Sequence, residues 1–174
     1  MQRLDLIAKT LIDHKVEFVL LGNYGAQIQG AQVLTEDADM AYHRGQENLV
    51  RLMAALEEMG ARIRFGDETV WLPYSDPLLL ASGDIWNLRT THGDLDLLYA
   101  SAGGGYDHLI QDAVEVEIGD GVVVLAASLD DIIHSKQLAN REKDHIALPE
   151  LRRLRDEQQH QREDPGCPSS YNPA

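Results

Sequence analysis

One stretch of this chain, residues 18–42, restricts the possible folds more than any other part of the sequence. It begins with a short apolar run, Phe18–Leu21, which predicts a buried strand. A second strand-like run ends at Tyr42 and carries Asp37 and Asp39. Because alternate side chains of a strand share a face, these two carboxylates are expected to lie side by side and repel each other, and a divalent cation would hold such a pair. The competing interpretation is a solvated strand face in an acidic protein.

The turn between these two runs has the residues of a phosphate-binding turn. Gly22 and Asn23 directly follow the first strand, and a short helix-like segment then reaches Gly30. Backbone N–H groups at a strand-to-helix turn of this kind attract anions. An ordinary turn is the competing interpretation, and the acidic residues downstream favour the phosphate-binding one.

Together these residues resemble the nucleotidyltransferase superfamily, whose fold is that of the DNA polymerase beta catalytic domain. The superfamily pattern is a hydrophobic strand, Gly-Gly or Gly-Ser, a spacer, and then Asp-hydrophobic-Asp or Asp-hydrophobic-Glu. The chain is most similar to the small bacterial branch that includes the AbiE-type abortive-infection and toxin–antitoxin nucleotidyltransferases. The segments that carry this resemblance are Gly22-Asn23-Tyr24-Gly25-Ala26, Gln29-Gly30 and Thr35-Glu36-Asp37-Ala38-Asp39.

A second block, nearer the C-terminus, is similar to the same branch. Its members often read Ser-Leu-x-Asp-Leu-Ile-x-Ser-Lys and then Arg-x-Lys-Asp before a final helix. Here the run from Ser128 to Lys136, SLDDIIHSK, is followed by Arg141-Glu142-Lys143-Asp144. Two blocks in the right order strengthen the prediction of the fold beyond what either block gives alone.

The resemblance implies an α/β (α+β) nucleotidyltransferase fold with a mixed β-sheet, flanking helices and a short helical C-terminus. A chain of 174 residues suits a single domain, which we place at residues 1–156, and the polar residues 157–174 are expected to form a disordered tail. Periodicity and turn residues predict the remaining elements: helices at 2–15, 46–59 and 129–140, a final helix that follows residues 141–144 and reaches about residue 159, strands at 61–65, 69–72, 85–89, 95–99, 115–118 and 122–126, and loops at 73–83 and 101–105.

The resemblance also implies a reaction, the transfer of a nucleoside monophosphate from a nucleoside triphosphate to an acceptor hydroxyl with the help of two magnesium ions. Asp37 and Asp39 would hold the metal ions. Asp96, in the run GDLDLLY, would complete the second metal site and help to deprotonate the acceptor. Asp94 lies two residues earlier on the same face and is the alternative third carboxylate, and for both residues a plain strand-end carboxylate is the competing interpretation.

Contacts to the nucleotide follow from the same resemblance, which assigns them to Gly22, Asn23, Thr35, Lys136 and Lys143. The first two would meet the phosphates through backbone N–H groups, and the Asn23 amide could donate as a serine hydroxyl would. The two lysines would meet the charge of the leaving group. For Lys136 the competing interpretation is an exposed helix lysine, and Asp144 is expected to orient Arg141 or Lys143.

The charge and composition of the chain restrict its partners. A formal net charge of −14 argues against broad binding of nucleic acid, which needs a basic surface. The single cysteine, Cys167, leaves no internal disulfide, and no apolar run is long enough to cross a bilayer. We therefore expect a cytoplasmic protein that binds no membrane. The family resemblance implies that it takes a nucleoside triphosphate, with ATP as the first candidate.

Two departures from the family pattern leave a second function open. Asn23 stands where the family prefers Gly or Ser, and Val33 stands where related sequences often carry Arg. The alternative is therefore a catalytically inactive relative that acts as a binding partner, for example a component of a toxin–antitoxin pair. The acceptor is also left open, because a protein, a tRNA and a small molecule all fit the same catalytic core.

Overall fold

The computed structural model describes residues 3–101 and 104–163 of the chain. The strands in this part are β1 Phe18–Leu21, β2 Asp37–Tyr42, β3 Arg62–Phe65, β4 Glu68–Trp71, β5 Ile85–Arg89, β6 Asp94–Leu98, β7 Ala100–Ser101, β8 Gly104–Gly105, β9 Val114–Glu117 and β10 Val123–Ala126. The helices are α1 Leu4–Asp13, α2 Gly22–Gln27, α3 Gln46–Glu58, α4 Tyr106–Leu109, α5 Leu129–Ala139 and α6 Glu142–Glu163, with a 3-10 helix at Pro77–Ala81.

Eight of these strands form one mixed sheet in the order β4-β3-β5-β6-β2-β1-β10-β9, and β7 and β8 form a separate ribbon. Strand β2 lies in the centre, antiparallel to β1 and parallel to β6. The register of β2 and β6 places Asp37 opposite Asp94 and Asp39 opposite Asp96. Because side chains alternate along each strand, all four carboxylates lie on the same face of the sheet.

Helices cover both faces of the sheet. On one face, Leu20 and Met40 pack with apolar residues of α1 and α3, such as Ile7 and Leu52. On the other face, Val19, Leu21 and Ala41 pack with residues of α2, α5 and α6, among them Ala26, Ile132 and Leu151. The second face is also the one that carries the four aspartates, so α5 and α6 lie beside them.

The predicted mixed α/β sheet with flanking helices is confirmed, and most predicted elements agree with the observed bounds to within about two residues. Two segments predicted as loops contain regular structure. The loop at 73–83 holds the 3-10 helix, where Leu80 is fully buried and its carbonyl accepts a hydrogen bond of 2.7 Å from the Tyr42 hydroxyl. The loop at 101–105 includes parts of β7 and β8, and α4 follows it, while residues 102 and 103 lie outside the described residues.

The C-terminal helix is longer than the sequence predicts. α6 has 22 residues and ends at Glu163, beyond its predicted end near Gln159 and within the segment expected to form the tail. Arg153 stabilises this part because it pairs with both Glu150 and Glu157, and Gln158 donates to the Gln29 carbonyl at 3.2 Å. The rest of the predicted tail, residues 164–174, lies outside the described residues.

Within the ranges 3–101 and 104–163, no helix is both long enough and apolar enough to cross a membrane.

Candidate active site

Three of the four aspartates of β2 and β6, namely Asp37, Asp39 and Asp96, line a cavity of about 220 Å³ beside α5. Seven of the eight residues that the sequence assigned to the site line this cavity. They are Gly22, Asn23, Asp37, Asp39, Asp96, Lys136 and Lys143. Thr35 lines a neighbouring cavity of about 570 Å³, which shares Asn23, Asp37 and Lys143 with the first. The structure therefore brings residues from both sequence blocks to one place.

The surroundings of Asp39 strongly disturb the ionisation of this carboxylate. Burial, together with the negative charges of Asp37 and Asp96, raises the pKa of Asp39 from 3.8 to about 7. The positive charges of Lys136 and Lys143 act in the opposite direction but do not compensate. A positive charge bound next to this carboxylate would therefore be strongly favoured at neutral pH.

Gly22 allows the backbone to pass next to Asp39. Its φ of +65° lies in the left-handed region, which side chains other than glycine adopt at a cost. A Cβ added at Gly22 would lie 2.8 Å from Asp39 Cγ and closer still to Oδ2. Position 22 therefore needs glycine for two independent reasons, and the second is its contact with the predicted metal ligand.

The side chains of Asn23 and Thr35 have partners other than those expected. The Asn23 amide donates to the Leu34 carbonyl at 2.9 Å, so in this structure it is not directed at a phosphate, and its Oδ1 is buried without a hydrogen bond. The Thr35 hydroxyl donates to the Asp37 carbonyl at 2.8 Å and approaches Asp37 Oδ1 at 3.4 Å. Both side chains hold the segment that enters β2, and a direct contact with a nucleotide remains a prediction for each.

Opposite the aspartates, the junction of α5 and α6 supplies the positive charges. The side chain of Lys136 is only 8% exposed, so the interpretation as an exposed helix lysine is wrong. Its Nζ lies 3.2 Å from Oδ1 of the fully buried Asp144, whose Oδ2 accepts from Arg141 Nε at 2.8 Å. Burial raises the pKa of Asp144, but the hydrogen bonds from Arg141 and Lys136 outweigh it and hold that pKa below its usual value. Asp144 thus orients Arg141, as one of the two predicted options had it, and Lys136 as well.

Asp96 has two partners that the sequence analysis missed. Arg64 Nη2 on β3 lies 2.9 Å from Asp96 Oδ1. The Asn87 amide, oriented so that its nitrogen faces β6, donates to Asp96 Oδ1 and Oδ2 at 3.1 and 3.3 Å. Burial raises the pKa of Asp96, and the charge and hydrogen bond of Arg64 oppose that shift. The antiparallel register of β5 and β6 places Asn87 opposite Asp96, and the turn between the two strands is a local signal for it. No local signal in the sequence predicts the contact with Arg64.

The donor set around Asp37 and Asp39 suits a divalent cation. These are carboxylate oxygens, the ligands that magnesium prefers. Burial and the neighbouring negative charges raise the pKa of Asp39, and the positive charges of Lys136 and Lys143 do not offset this. Across the described part of the chain, however, no three or more His, Cys, Asp or Glu side chains form a group that could hold a metal ion together. The residues therefore fit a cation at the Asp37–Asp39 pair, and the three-carboxylate arrangement with Asp96 remains a prediction.

Comparisons with known proteins give limited similarity. Neither a protein-family model nor a curated protein matches the chain. Among solved structures, it is similar to the solution structure of the antibiotic-resistance factor ANT(2'')-Ia, with 14% sequence identity and a TM-score of 0.49 over 90% of this chain and 89% of that one. It is also similar to TM1012 from Thermotoga maritima, a proposed nucleotidyltransferase, with 16% identity and a TM-score of 0.48 over 94% of each chain. At such values the function has to be inferred from the site itself, and the resemblance to the AbiE-type branch remains a prediction.

Proposed function

We propose that this protein is a magnesium-dependent nucleotidyltransferase, which transfers a nucleoside monophosphate from a nucleoside triphosphate, ATP in the first instance, to an acceptor hydroxyl. One observation carries the proposal. Within a single cavity, the carboxylate pair Asp37 and Asp39 lies opposite the cationic side chains of Lys136, Arg141 and Lys143. A magnesium triphosphate needs both kinds of group, carboxylates for the cation and cations for the phosphates.

On the acidic side of the cavity, Asp37 and Asp39 would hold magnesium. A magnesium ion there would neutralise triphosphate charge and make the acceptor hydroxyl a better nucleophile. Thr35 keeps Asp37 in place through its hydrogen bonds, and Gly22 lets the backbone approach the same region. We assign the contacts of backbone N–H groups with the phosphates to Gly22 and Asn23, because both line the cavity.

On the basic side, Lys136, Arg141 and Lys143 would meet the phosphates of the leaving group. The acceptor oxygen forms a bond to the α-phosphorus, the bond from that phosphorus to the bridging oxygen breaks, and pyrophosphate leaves. We assign the acceptor proton to Asp96 Oδ2, the oxygen that Arg64 does not contact. Burial raises the pKa of Asp96, which makes its carboxylate a better base than an exposed one.

The neighbouring cavity is our candidate for the nucleoside. It shares Lys143 with the first cavity and adds two exposed apolar side chains, Leu34 at 92% and Ile146 at 80% exposure. Such side chains can pack on the faces of a base. The acceptor would then approach from the other side, where Ile85 lines the cavity near Asp96.

A binding experiment tests the proposal. We expect isothermal titration to show binding of at least one nucleoside triphosphate to the wild-type protein with magnesium and much weaker binding with EDTA. Asp37→Ala/Asp39→Ala should lose the magnesium-dependent part. The matched control is Glu115→Ala/Glu117→Ala, which removes two exposed carboxylates at the same spacing on β9 and should bind as the wild type does. If no triphosphate binds to the wild type, the enzymatic proposal is wrong.

The second candidate is a catalytically inactive protein that acts through a partner, such as a toxin–antitoxin component. The observation in its favour is that two site residues are already engaged within the chain: the Asn23 amide with the Leu34 carbonyl, and Asp96 with Arg64. Under this alternative, Asp37→Ala/Asp39→Ala would leave the cellular phenotype of the protein unchanged. Under the enzymatic proposal the same double variant abolishes it.

A further inference from the structure

Arg64 is placed where it contacts both carboxylates of β6. Its Nη2 lies 2.9 Å from Asp96 Oδ1, and its Nη1 lies 3.2 Å from Asp94 Oδ2. All three side chains are largely buried, with exposed fractions of 23% for Arg64, 14% for Asp94 and 17% for Asp96. A planar guanidinium that donates to two partly desolvated carboxylates is held in one orientation.

The neighbouring strands complete this arrangement. Asn87, opposite Asp96 on β5, donates to both of its oxygens, and Arg89 on the same strand lies 3.0 Å from Asp94 Oδ1. The register of β3, β5 and β6 sets these contacts, so they do not depend on a loop. The negative charges of Asp94 and Asp96 are thus matched by two arginines within the sheet.

The carboxylates of β2 are in the opposite situation. Over residues 3–101 and 104–163, Asp37 and Asp39 make no ion pair within 4.0 Å, and the Asp37 carboxylate accepts a long hydrogen bond of 3.4 Å from the Thr35 hydroxyl at Oδ1. The two pairs of carboxylates lie on adjacent parallel strands, yet among the described residues only the β6 pair forms ion pairs within 4.0 Å. The need for an added cation is therefore concentrated at β2.

We propose that Arg64 takes the place of a second metal ion: the site binds one divalent cation, at Asp37 and Asp39, and the guanidinium supplies the positive charge at Asp96. The proposal rests on the proposed function, since it concerns the metal stoichiometry of that same site. It differs from the expectation of two magnesium ions, which the experiment below tests. A guanidinium stays charged at all pH values used for proteins, and a second divalent ion on Asp96 would be repelled by it at close range.

Equilibrium dialysis measures the stoichiometry. The probes are Mn²⁺, which binds to carboxylate sites of this kind, and ATP in which a methylene replaces the oxygen between the α- and β-phosphorus atoms, so that no transfer occurs. The measured quantity is the ratio of protein-bound manganese to protein-bound nucleotide, each obtained as the difference in concentration between the compartment with protein and the compartment without it. For the wild type we expect one manganese ion per nucleotide. Arg64→Ala and the more conservative Arg64→Gln should both raise the ratio to two.

Arg62→Ala is the matched control, because Arg62 lies two residues earlier on the same strand and face and donates to the Thr69 hydroxyl at 3.0 Å. This variant should keep a ratio of one. A ratio of two for the wild type would overturn the proposal while leaving the proposed function intact, and so would a ratio of one in a folded Arg64→Gln protein. If neither probe accumulates with the wild type, the proposed function itself fails, and this proposal fails with it.

Discussion

At the scale of single residues, Gly22 and Gly66 separate two roles of glycine in this fold. Both have a left-handed φ, +65° and +62°, but a Cβ at Gly22 would collide with the Asp39 carboxylate, whereas nothing lies within 4 Å of a Cβ at Gly66. Backbone strain is therefore common to both positions, and the steric conflict belongs to Gly22 alone. The comparison isolates the contact between the turn and the carboxylate.

We predict that Gly66→Ala lowers the free energy of unfolding by about 1 kcal/mol, the strain of a left-handed alanine. Gly22→Ala should lose about 2 kcal/mol more, because Asp39 has to move. Urea denaturation of the two variants measures both values. Equal losses would show that Asp39 does not pack against Gly22 as described.

The pKa of Asp39 makes stability depend on pH in a defined window. In the unfolded chain this carboxyl titrates near 3.8, and in the folded protein burial and the charges of Asp37 and Asp96 raise its pKa to about 7. Between these values the folded state binds more protons than the unfolded state, so the contribution of Asp39 to stability decreases as the pH rises. Below pH 3.8 Asp39 is protonated in both states and does not destabilise the fold, and above pH 7 the cost of burying its charged form is complete.

Asp39→Asn should therefore raise the melting temperature at pH 8 relative to the wild type and change it little near pH 4, with EDTA present throughout. Thermal unfolding across that range checks the prediction. Asp112→Asn, at an exposed position outside the cavity, serves as the control and should follow the wild-type curve. If the Asp39→Asn and wild-type curves run parallel, the carboxyl is not destabilised by its surroundings.

At the scale of elements, the junction of α5 and α6 determines where the cations point. Ser128 caps the N-terminus of α5, where its hydroxyl oxygen accepts a hydrogen bond of 3.1 Å from the Asp131 N–H. Asn140 caps the C-terminus, and its φ of 49° is left-handed. The reversal brings Asp144 of α6 under Lys136 of α5. The packing of α6 against α5 thus buries the Lys136 side chain and pairs it with Asp144.

Asp144→Ala should lower the free energy of unfolding by about 3 kcal/mol, because it leaves the buried Lys136 ammonium without its partner. The control is Asp130→Ala, which removes a more exposed ion pair between α5 and α6, with Arg155 at 3.3 Å. That variant should lose less than about 1 kcal/mol. Chemical denaturation measures both, and similar losses would contradict the buried network.

The elements that the sequence predicted well are those whose signal is local. The period of apolar residues locates α1 and α3, and the apolar run locates β1. The sequence does not predict the 3-10 helix at Pro77–Ala81, because a distant contact stabilises it. The Leu80 carbonyl accepts a hydrogen bond from the Tyr42 hydroxyl. No pattern within residues 77–81 predicts such a partner.

At the scale of the whole molecule, charge is distributed unevenly. The formal net charge is −14, yet Lys136, Arg141 and Lys143 line one cavity. The overall charge repels long polyanions, whereas a small triphosphate with its magnesium ion would meet the local cations within that cavity. The prediction that the protein does not bind nucleic acid broadly is therefore compatible with the proposed site for a single nucleotide.

The sequence alone determined that Asp37 and Asp39 share a face, since a strand alternates its side chains regardless of its surroundings. It also located the cationic block from Lys136 to Asp144 and, through the family resemblance, assigned both blocks to one site. The tertiary structure decided which groups each of these side chains contacts. Arg64 reaches Asp96 across 32 positions of the sequence because β3, β5 and β6 are neighbours in the sheet. Strand pairing depends on the packing of the whole chain, so the cationic partner of Asp96 is a property of the fold and not of any local sequence pattern.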